Sequence, residues 1–341
     1  MPANLTPEYR AAEAAFRKAR DPSQRLEWLR EMLRVIPKHK GTDHLQGDIK
    51  RRIKELSAEI ERPKAGGAHG GPALVIRPEG AAQIALLGPP NAGKSSLHRR
   101  LTGSDAQVAP YRFTTQYPEP GMMSHEGIRF QLLDLPAVSP EHPVPWLANT
   151  LQTADACLLV VDLAEPAGLE EMAAVHAVLR ERRVTLLDRW ESVGASAGPA
   201  AEGNEDPFAL GLPTLLVANK ADRVGDAMGE LSALLELTGL RYPAFVVSAA
   251  TGHGLGELGP RLFTHLGLVR VYTKLPGHPP NRERPFALRR GQTVEDVARL
   301  VHKDLARSLR YARVWGTSGF DGQQVGSEHP LADGDVVELH A

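Results

Sequence analysis

The sequence predicts an α/β fold: a mostly parallel sheet built around a phosphate-binding loop, with a helical hairpin before it and a small mixed sheet after it. Three observations predict this. Apolar strand-like runs alternate with helix-like segments through the middle of the chain, the pattern of a parallel sheet with crossover helices. Residues 88–96, Gly-Pro-Pro-Asn-Ala-Gly-Lys-Ser-Ser, fit G-x-x-x-x-G-K-[ST] between an apolar run and a helix-like run, which is the context that pattern requires. The texture changes at both ends, to helical spacing before residue 62 and to short alternating runs after Leu268.

The chain has 341 residues, 42% hydrophobic and 24% charged, ordinary globular material with room for two or three domains. It contains no apolar run of about 18 residues, so no membrane span or membrane partner is expected. The start, Met-Pro-Ala-Asn-Leu-Thr-Pro-Glu, lacks a basic stretch followed by an apolar one, so no secretory signal is expected either. Cys157 is the single cysteine, which excludes an internal disulfide and fits the cytoplasm. Its apolar surroundings mark it as a small core residue. None of the 13 histidines shows zinc-ligand spacing. The net charge of −1 hides a pattern: residues 1–66 carry 15 Lys/Arg against 10 Asp/Glu, and residues 268–341 carry 11 against 9, leaving an acidic centre between basic ends. Basic ends suit a polyanion, or are simply solvated helix surfaces.

Taken in order, Thr6-Pro7 and Asp21-Pro22 each place an N-cap before a proline at the first helical position. Leu26, Leu29, Leu33 and Ile36, then Leu45, Ile49, Ile53, Leu56 and Ile60, recur at helical spacing on either side of Pro37-Lys-His-Lys-Gly41. Two such stripes predict a helical hairpin over 1–66. Its Lys38, His39, Lys40, Lys50, Arg51 and Arg52 either touch RNA phosphate or form a wet face. Residues 67–80 are a linker, Gly/Pro-rich at its start. Residues 81–267 form the sheet domain, with strands expected at 84–87, 128–133, 157–163, 214–218 and 245–248. A further strand at 122–124 pairs back through His125-Glu-Gly127. Residues 191–211, rich in Ala, Gly and Pro, are expected to be a flexible loop. In 268–341 strands are expected at 269–273, 285–288, 312–315 and 336–339, with a turn at 332–335. Thr293 and Asp296 form a capping box ahead of a helix with Val297, Leu300, Val301, Leu305 and Leu309 inside. Trp315 and His302 are expected in the core and on the helix surface.

The motifs define a chemistry. Gly88 and Gly93 let the backbone of Pro89, Pro90, Asn91 and Ala92 wrap a phosphate, with N–H groups and the helix start at Ser96 facing the anion. Lys94 would reach the outer phosphates and Ser95 would bind Mg²⁺. Asn219-Lys-Ala-Asp222 follows an expected strand end, where ligands bind in such sheets. An Asp222 carboxylate can accept guanine N1–H and N2–H₂, a donor pair adenine lacks. A site built on such bonds can discriminate by ~10⁴-fold. Asn219 would tie this loop to the phosphate loop, and the Lys220 stem would lie along the base. Backbone N–H groups of Ser248, Ala249 and Ala250 would meet guanine O6. Thr114 and Thr115 lie where the γ-phosphate is sensed, Thr115 through Mg²⁺ and its N–H. Asp134, followed by Leu-Pro-Ala137, could hold a Mg²⁺-bound water.

Gly88-Pro-Pro-Asn-Ala-Gly-Lys-Ser-Ser96, Tyr111-Arg-Phe-Thr-Thr115, Asp134-Leu-Pro136 and Asn219-Lys-Ala-Asp222 resemble the Obg-type translation-factor GTPases. Lys38-His-Lys-Gly-Thr42, Tyr272-Thr-Lys274, Tyr311-Ala-Arg-Val-Trp-Gly316 and Asp333-Gly-Asp-Val336 resemble more closely the Drg branch, the developmentally regulated GTP-binding proteins, which end in a TGS domain. The resemblance spans most of the chain but stops from about Ala137 to Gly211, where Drg proteins are glycine-rich and carry a longer insertion. It implies a P-loop GTPase binding GTP and GDP, a β-grasp TGS tail over 268–341, and a cytoplasmic location. As partners it implies ribosomes or RNA, met through the basic hairpin and tail, and an accessory protein. The third motif normally ends in Gly; Ala137 in a left-handed state would cost roughly 1 kcal/mol more. Val138 stands where many GTPases place a water-orienting Gln, and Val cannot polarise water. The catalytic set would be Lys94, Thr115 and Asn91. Asn91 resembles a phosphate-loop Asn that helps hold K⁺ in related GTPases, or it only shapes the loop. Two readings compete with a slow GTPase: a nucleotide-sensing adaptor for ribosome or RNA with negligible hydrolysis, and an adaptor whose function lies in its ends. A Walker-type ATPase is the enzymatic alternative.

Overall fold

The computed structural model describes residues 5–19, 21–37, 42–60, 76–103, 117–165, 168–190 and 209–341. Its first two helices open on the N-cap and proline pairs. Thr6 accepts the Tyr9 N–H at 3.2 Å ahead of α1 (Pro7–Lys18). Asp21 accepts the Gln24 N–H at 3.2 Å ahead of α2 (Pro22–Val35). Each cap satisfies a donor that the helix itself cannot. With α3 (Asp43–Ile60) the expected hairpin becomes a three-helix unit. Tyr9, Ala12 and Phe16 of α1 pack with Leu29, Met32, Ile36 and Ile49 in a core of their own. The α1 stripe is written in Tyr, Ala and Phe rather than Leu and Ile, so a leucine-based pattern passes over it. Lys38, His39 and Lys40 lie outside the described residues.

The central sheet has seven strands: β1 (Ala82–Leu87), β2 (Glu119–His125), β3 (Ile128–Asp134), β4 (Ala156–Asp162), β5 (Val184–Leu187), β6 (Leu210–Asn219) and β7 (Ala244–Val246). Their order is β2-β3-β1-β4-β6, and β6 then pairs with β5 at its start and with β7 at its end. All pairs are parallel except β2 with β3, which join through the expected turn at Glu126 and Gly127. The long strand β6 begins at Leu210, so the end of the segment expected to be loop is sheet; residues 191–208 lie outside the described residues. Alternation along the strands makes two cores. Ile84, Leu86, Phe130, Leu132, Leu158 and Val160 face α4 (Lys94–Thr102) and α8 (Leu258–His265). Ala85, Leu87, Leu133, Leu159 and Val161 face α5 (Leu147–Leu151), α6 (Gly168–Glu181) and α7 (Ala227–Thr238). Cys157 sits fully buried in the second core, as expected of a structural cysteine.

The C-terminal unit is a five-stranded mixed sheet of β8 (Leu268–Thr273), β9 (Asn281–Arg289), β10 (Tyr311–Trp315), β11 (Gln323–Val325) and β12 (Val336–His340), ordered β11-β10-β12-β8-β9. The capping box forms, the Thr293 N–H donating to Asp296 at 2.9 Å ahead of α9 (Val294–Val301). The helix ends sooner than its pattern suggests. His302 is extended (φ −163°) and exposed, and a separate short helix α10 (Lys303–Ser308) follows. Leu300 and Val301, expected inside, are 55% and 41% exposed, because Val294, Val297 and Ala298 already fill the face toward the sheet.

Both flanking units meet the core at the end where the parallel strands begin. Arg25 of α2 bonds Gln152 at 2.7 Å, just before β4, and Asp48 of α3 bonds Arg183 at 3.1 Å, just before β5. Arg289 of β9 pairs with Asp155 at 3.0 Å, also before β4, with side chains 11% and 4% exposed. Arg270 of β8 joins Asp333 at 2.6 Å and also Glu126 in the β2–β3 turn. The opposite end, where the strands finish, is left to the motifs.

Candidate functional site

The phosphate loop leaves β1 at Gly88 (φ 147°) and enters α4 at Gly93 (φ 92°). A Cβ on Gly88 would lie 2.2 Å from the Val160 carbonyl oxygen, and one on Gly93 would lie 2.3 Å from Asn219 Nδ2. Neither position admits a side chain, which gives the two fixed glycines of the motif a steric reason. Between them Asn91 is exposed and left-handed (φ 59°), a conformation Asn tolerates better than most residues. That geometry suits the loop-shaping role.

Lys94 is 6% exposed and folds back over the loop, its Nζ donating to Gly88 O at 3.1 Å and Pro89 O at 2.8 Å. Burial pulls its pKa down to about 8, against the attraction of Asp134 and Glu171. Phosphate oxygens are stronger acceptors than the two carbonyls it now holds. Asp134 closes β3 and is fully buried. Ser95 stands in the first turn of α4. A serine hydroxyl and a buried carboxylate beside a phosphate loop are an oxygen set that fits Mg²⁺, which usually takes one or two protein oxygens and completes its shell with phosphate and water. Among the described residues no group of three His, Cys, Asp or Glu forms a protein-only metal cage.

After β3 the chain returns to the phosphate loop, the Val138 N–H donating to Gly88 O at 3.1 Å. The Val138 side chain is 2% exposed and packs in the second core. Ala137 is 7% exposed and does not adopt a positive φ, so the strain expected of a left-handed alanine does not arise in this conformation. Thr114 and Thr115 lie outside the described residues.

The base loop follows β6. Asn219, 1% exposed, donates Nδ2–H to Ala92 O at 2.9 Å and accepts the Ala249 N–H at 3.0 Å, so one side chain clamps three loops. Lys220 is left-handed (φ 64°), and its Nζ meets Asp162 at 2.5 Å. Asp222 is exposed and accepts the Ser248 hydroxyl at 2.5 Å, a bond that lowers its pKa. One expectation is corrected here. The Ser248 N–H already donates to His253 O at 3.0 Å and the Ala249 N–H to Asn219, so neither is available to guanine O6. An N–H donates one good bond, which leaves Ala250 among the three. Sequence reasoning missed Asp162. Its signal was present, since β4 ends in Asp as β3 does.

Residues 83–188 match the family described as 50S ribosome-binding GTPase, and residues 269–341 match the TGS domain. An uncharacterised GTP-binding protein of Halobacterium salinarum is 29% identical over 93% of this chain and 98% of its own length. Developmentally-regulated GTP-binding protein 1 of Xenopus laevis is 28% identical over 91% of this chain and 96% of its own. The YchF GTPase of Schizosaccharomyces pombe shares the fold, with a TM-score of 0.51 at 13% identity, over 77% of this chain and 99% of its own. Fold and site together define a P-loop GTPase with a C-terminal TGS domain. Its homologues over most of the chain include developmentally regulated GTP-binding proteins, at 27–28% identity.

Proposed function

We propose that this GTPase is a slow, Mg²⁺-dependent switch that hydrolyses GTP to GDP and phosphate, and whose nucleotide state governs its association with a ribosome or RNA in the cytoplasm. The observation that carries the slow switch is Val138. Its backbone ties the third motif to Gly88, while its side chain is committed to the core and cannot orient water. Gly88, Pro89, Pro90, Asn91, Ala92, Gly93 and Ser96 would cradle the phosphates, with Lys94 on the outer ones. Ser95, Thr115 and Asp134 would hold Mg²⁺, which neutralises charge on the β- and γ-phosphates when bound. Asp222 and Ala250 would read guanine, and Thr114, Thr115 and Ala137 would sense the γ-phosphate. K⁺ beside Asn91 is the proposed further aid to hydrolysis; equal turnover in KCl and NaCl would remove it.

The β2–β3 hairpin gives the switch a route to the far pole. Glu119 pairs with Asp134 at one end, and Glu126 meets Arg270 of the TGS domain at the other. The family model's description and the basic ends support a ribosomal or RNA partner. An accessory protein is a further expected partner. No helix among the described residues is long and apolar enough to cross a membrane. Val138 also favours a second reading, a nucleotide-sensing adaptor with negligible hydrolysis. GTP turnover with and without ribosomes, together with ribosome co-sedimentation in GDP or a non-hydrolysable GTP analogue, tests both. Turnover raised by ribosomes and retention that depends on nucleotide support the switch; nucleotide-dependent retention with no turnover supports the adaptor.

A further inference from the structure

Alternation along the C-terminal strands gives that sheet two sides. Val271, Val314 and Val337 pack with Val294 and Val297 of α9 on one side. Tyr272 of β8, Tyr311, Arg313 and Trp315 of β10, and Glu338 and His340 of β12 share the other. The end of that second side next to the GTPase core is covered. There Arg270 lies 5.1 Å from the centre of the Phe263 ring of α8, and its cross-strand partner Ala287 packs against the first core. The remainder carries a row of rings, each beside a cation or a second ring. Lys274 Nζ lies 4.1 Å from the centre of the Trp315 ring, and the Arg282 guanidinium 6.0 Å from that of Tyr272. Tyr311 and His340 stack at 4.4 Å, 11° from parallel. The Tyr272, Tyr311 and Trp315 side chains are half-buried, and Arg282 and Arg313 are exposed. The turn after Trp315 adds Phe320, 84% exposed, and closes on the Trp315 ring at Gly322.

The charge on this surface is uneven. Lys274, Arg282 and Arg313 stand on it, while Glu338 is the one carboxylate that β8, β10 and β12 place on this side. Glu338 is 5% exposed and already held by Lys274 at 3.1 Å and His340 at 2.7 Å. Asp321 borders the surface beside Phe320. Rings interleaved with cations on an open sheet match unpaired nucleotides, whose bases stack on rings and guanidinium planes while their phosphates meet the cations. A duplex offers neither match, because its base faces are already stacked on one another.

We propose that the open side of the TGS sheet, from Tyr272 across to Trp315 and Phe320, binds single-stranded RNA. Bases stack on its rings, and phosphates pair with Lys274, Arg282 and Arg313. The inference rests on the proposed RNA partner and names the kind of RNA and the surface that meets it.

The test uses the full chain saturated with GDP and Mg²⁺, and follows labelled oligouridylate and a labelled RNA duplex by anisotropy. Wild type should bind the oligouridylate about tenfold or more tighter than the duplex. The logarithm of its affinity should fall against the logarithm of salt concentration with a slope of about −2, about 0.7 for each of three phosphate contacts. Arg313→Gln and Phe320→Ala alter exposed side chains and should leave GDP affinity unchanged. Each should weaken oligouridylate binding about fivefold or more, and Arg313→Gln should also flatten the salt slope by about 0.7. Binding should quench tryptophan emission, a change that Trp315→Phe removes. No oligouridylate binding by wild type, equal binding of the duplex, or full binding by both variants overturns the inference. Ribosome co-sedimentation separates it from the switch reading. Retention on ribosomes that Phe320→Ala loses, without oligouridylate binding by wild type, gives the surface to a ribosomal protein; it overturns the RNA site and leaves the switch standing. Oligouridylate binding with the stated losses, but ribosome retention blind to nucleotide, upholds the site and removes the switch.

Discussion

Lys94 carries one charge that serves two states of the protein. Folding lowers its pKa from 10.5 to about 8, so the cost of burying the ammonium is full below pH 8 and disappears as pH rises toward 10.5. A bound polyphosphate favours the charged form instead. Nucleotide binding above about pH 8 should therefore take up a proton, and GTP affinity should fall toward tenfold per pH unit there. Calorimetry in two buffers of different ionisation enthalpy reads the proton directly; an affinity flat from pH 7 to 9.5 would contradict the assignment. Asp162 acts through its neighbour. It holds Lys220 at 2.5 Å and accepts the Ala164 N–H at 3.0 Å, so it fixes the stem proposed to lie along the base. Asp162→Asn should weaken GDP and GTP alike, by roughly three- to tenfold, and leave the hydrolytic rate constant of bound GTP unchanged. A selective loss of GTP would place Asp162 in phosphate sensing instead.

At the scale of elements, the loops beyond the strand ends are tied to one another by side chains. Asn219 caps β6 and bonds both the phosphate loop and the loop after β7. Asn219→Ala would leave the buried Ala92 carbonyl and Ala249 N–H unsatisfied, a cost of about 2–4 kcal/mol. Chemical denaturation without nucleotide should show it, alongside lost nucleotide affinity; lost affinity at full stability would mean Asn219 serves the ligand alone. This clamp was legible in the sequence, because Asn219 follows a continuous apolar strand in a motif of fixed spacing. The buried parallel strands were legible for the same reason. What escaped has physical causes. Val184–Leu187 and Gln323–Val325 are too short to show periodicity, and the latter carries two glutamines. The exposed Leu300 and Val301 continue the helical pattern past the point where the backbone stops. The use of Ser248 and Ala249 N–H groups inside the protein is a tertiary fact that no local pattern carries.

Across the whole molecule, the nucleotide motifs and the flanking units occupy opposite ends of one sheet. Arg289 and Asp155 hold the TGS domain to the core with both side chains nearly buried, and Asp155 also accepts the Gln83 N–H at 2.8 Å. Arg289→Met removes one partner of a nearly buried ion pair, an effect of about 3–5 kcal/mol. Two resolved thermal transitions in place of one are expected by calorimetry, while GTP affinity stays unchanged; a single unshifted transition would show that the pair does not join the units. In the proposed function the basic ends meet a nucleic-acid partner at one pole, and at the other the guanine base is chosen by Asp222. The most direct measurement is the affinity of wild type and Asp222→Asn for GTP and xanthosine triphosphate. Asp222→Asn should lose GTP by ~10²-fold or more and gain the xanthosine nucleotide, since the amide can donate to the oxygen that replaces the exocyclic amine. Unchanged GTP affinity in Asp222→Asn would contradict the account.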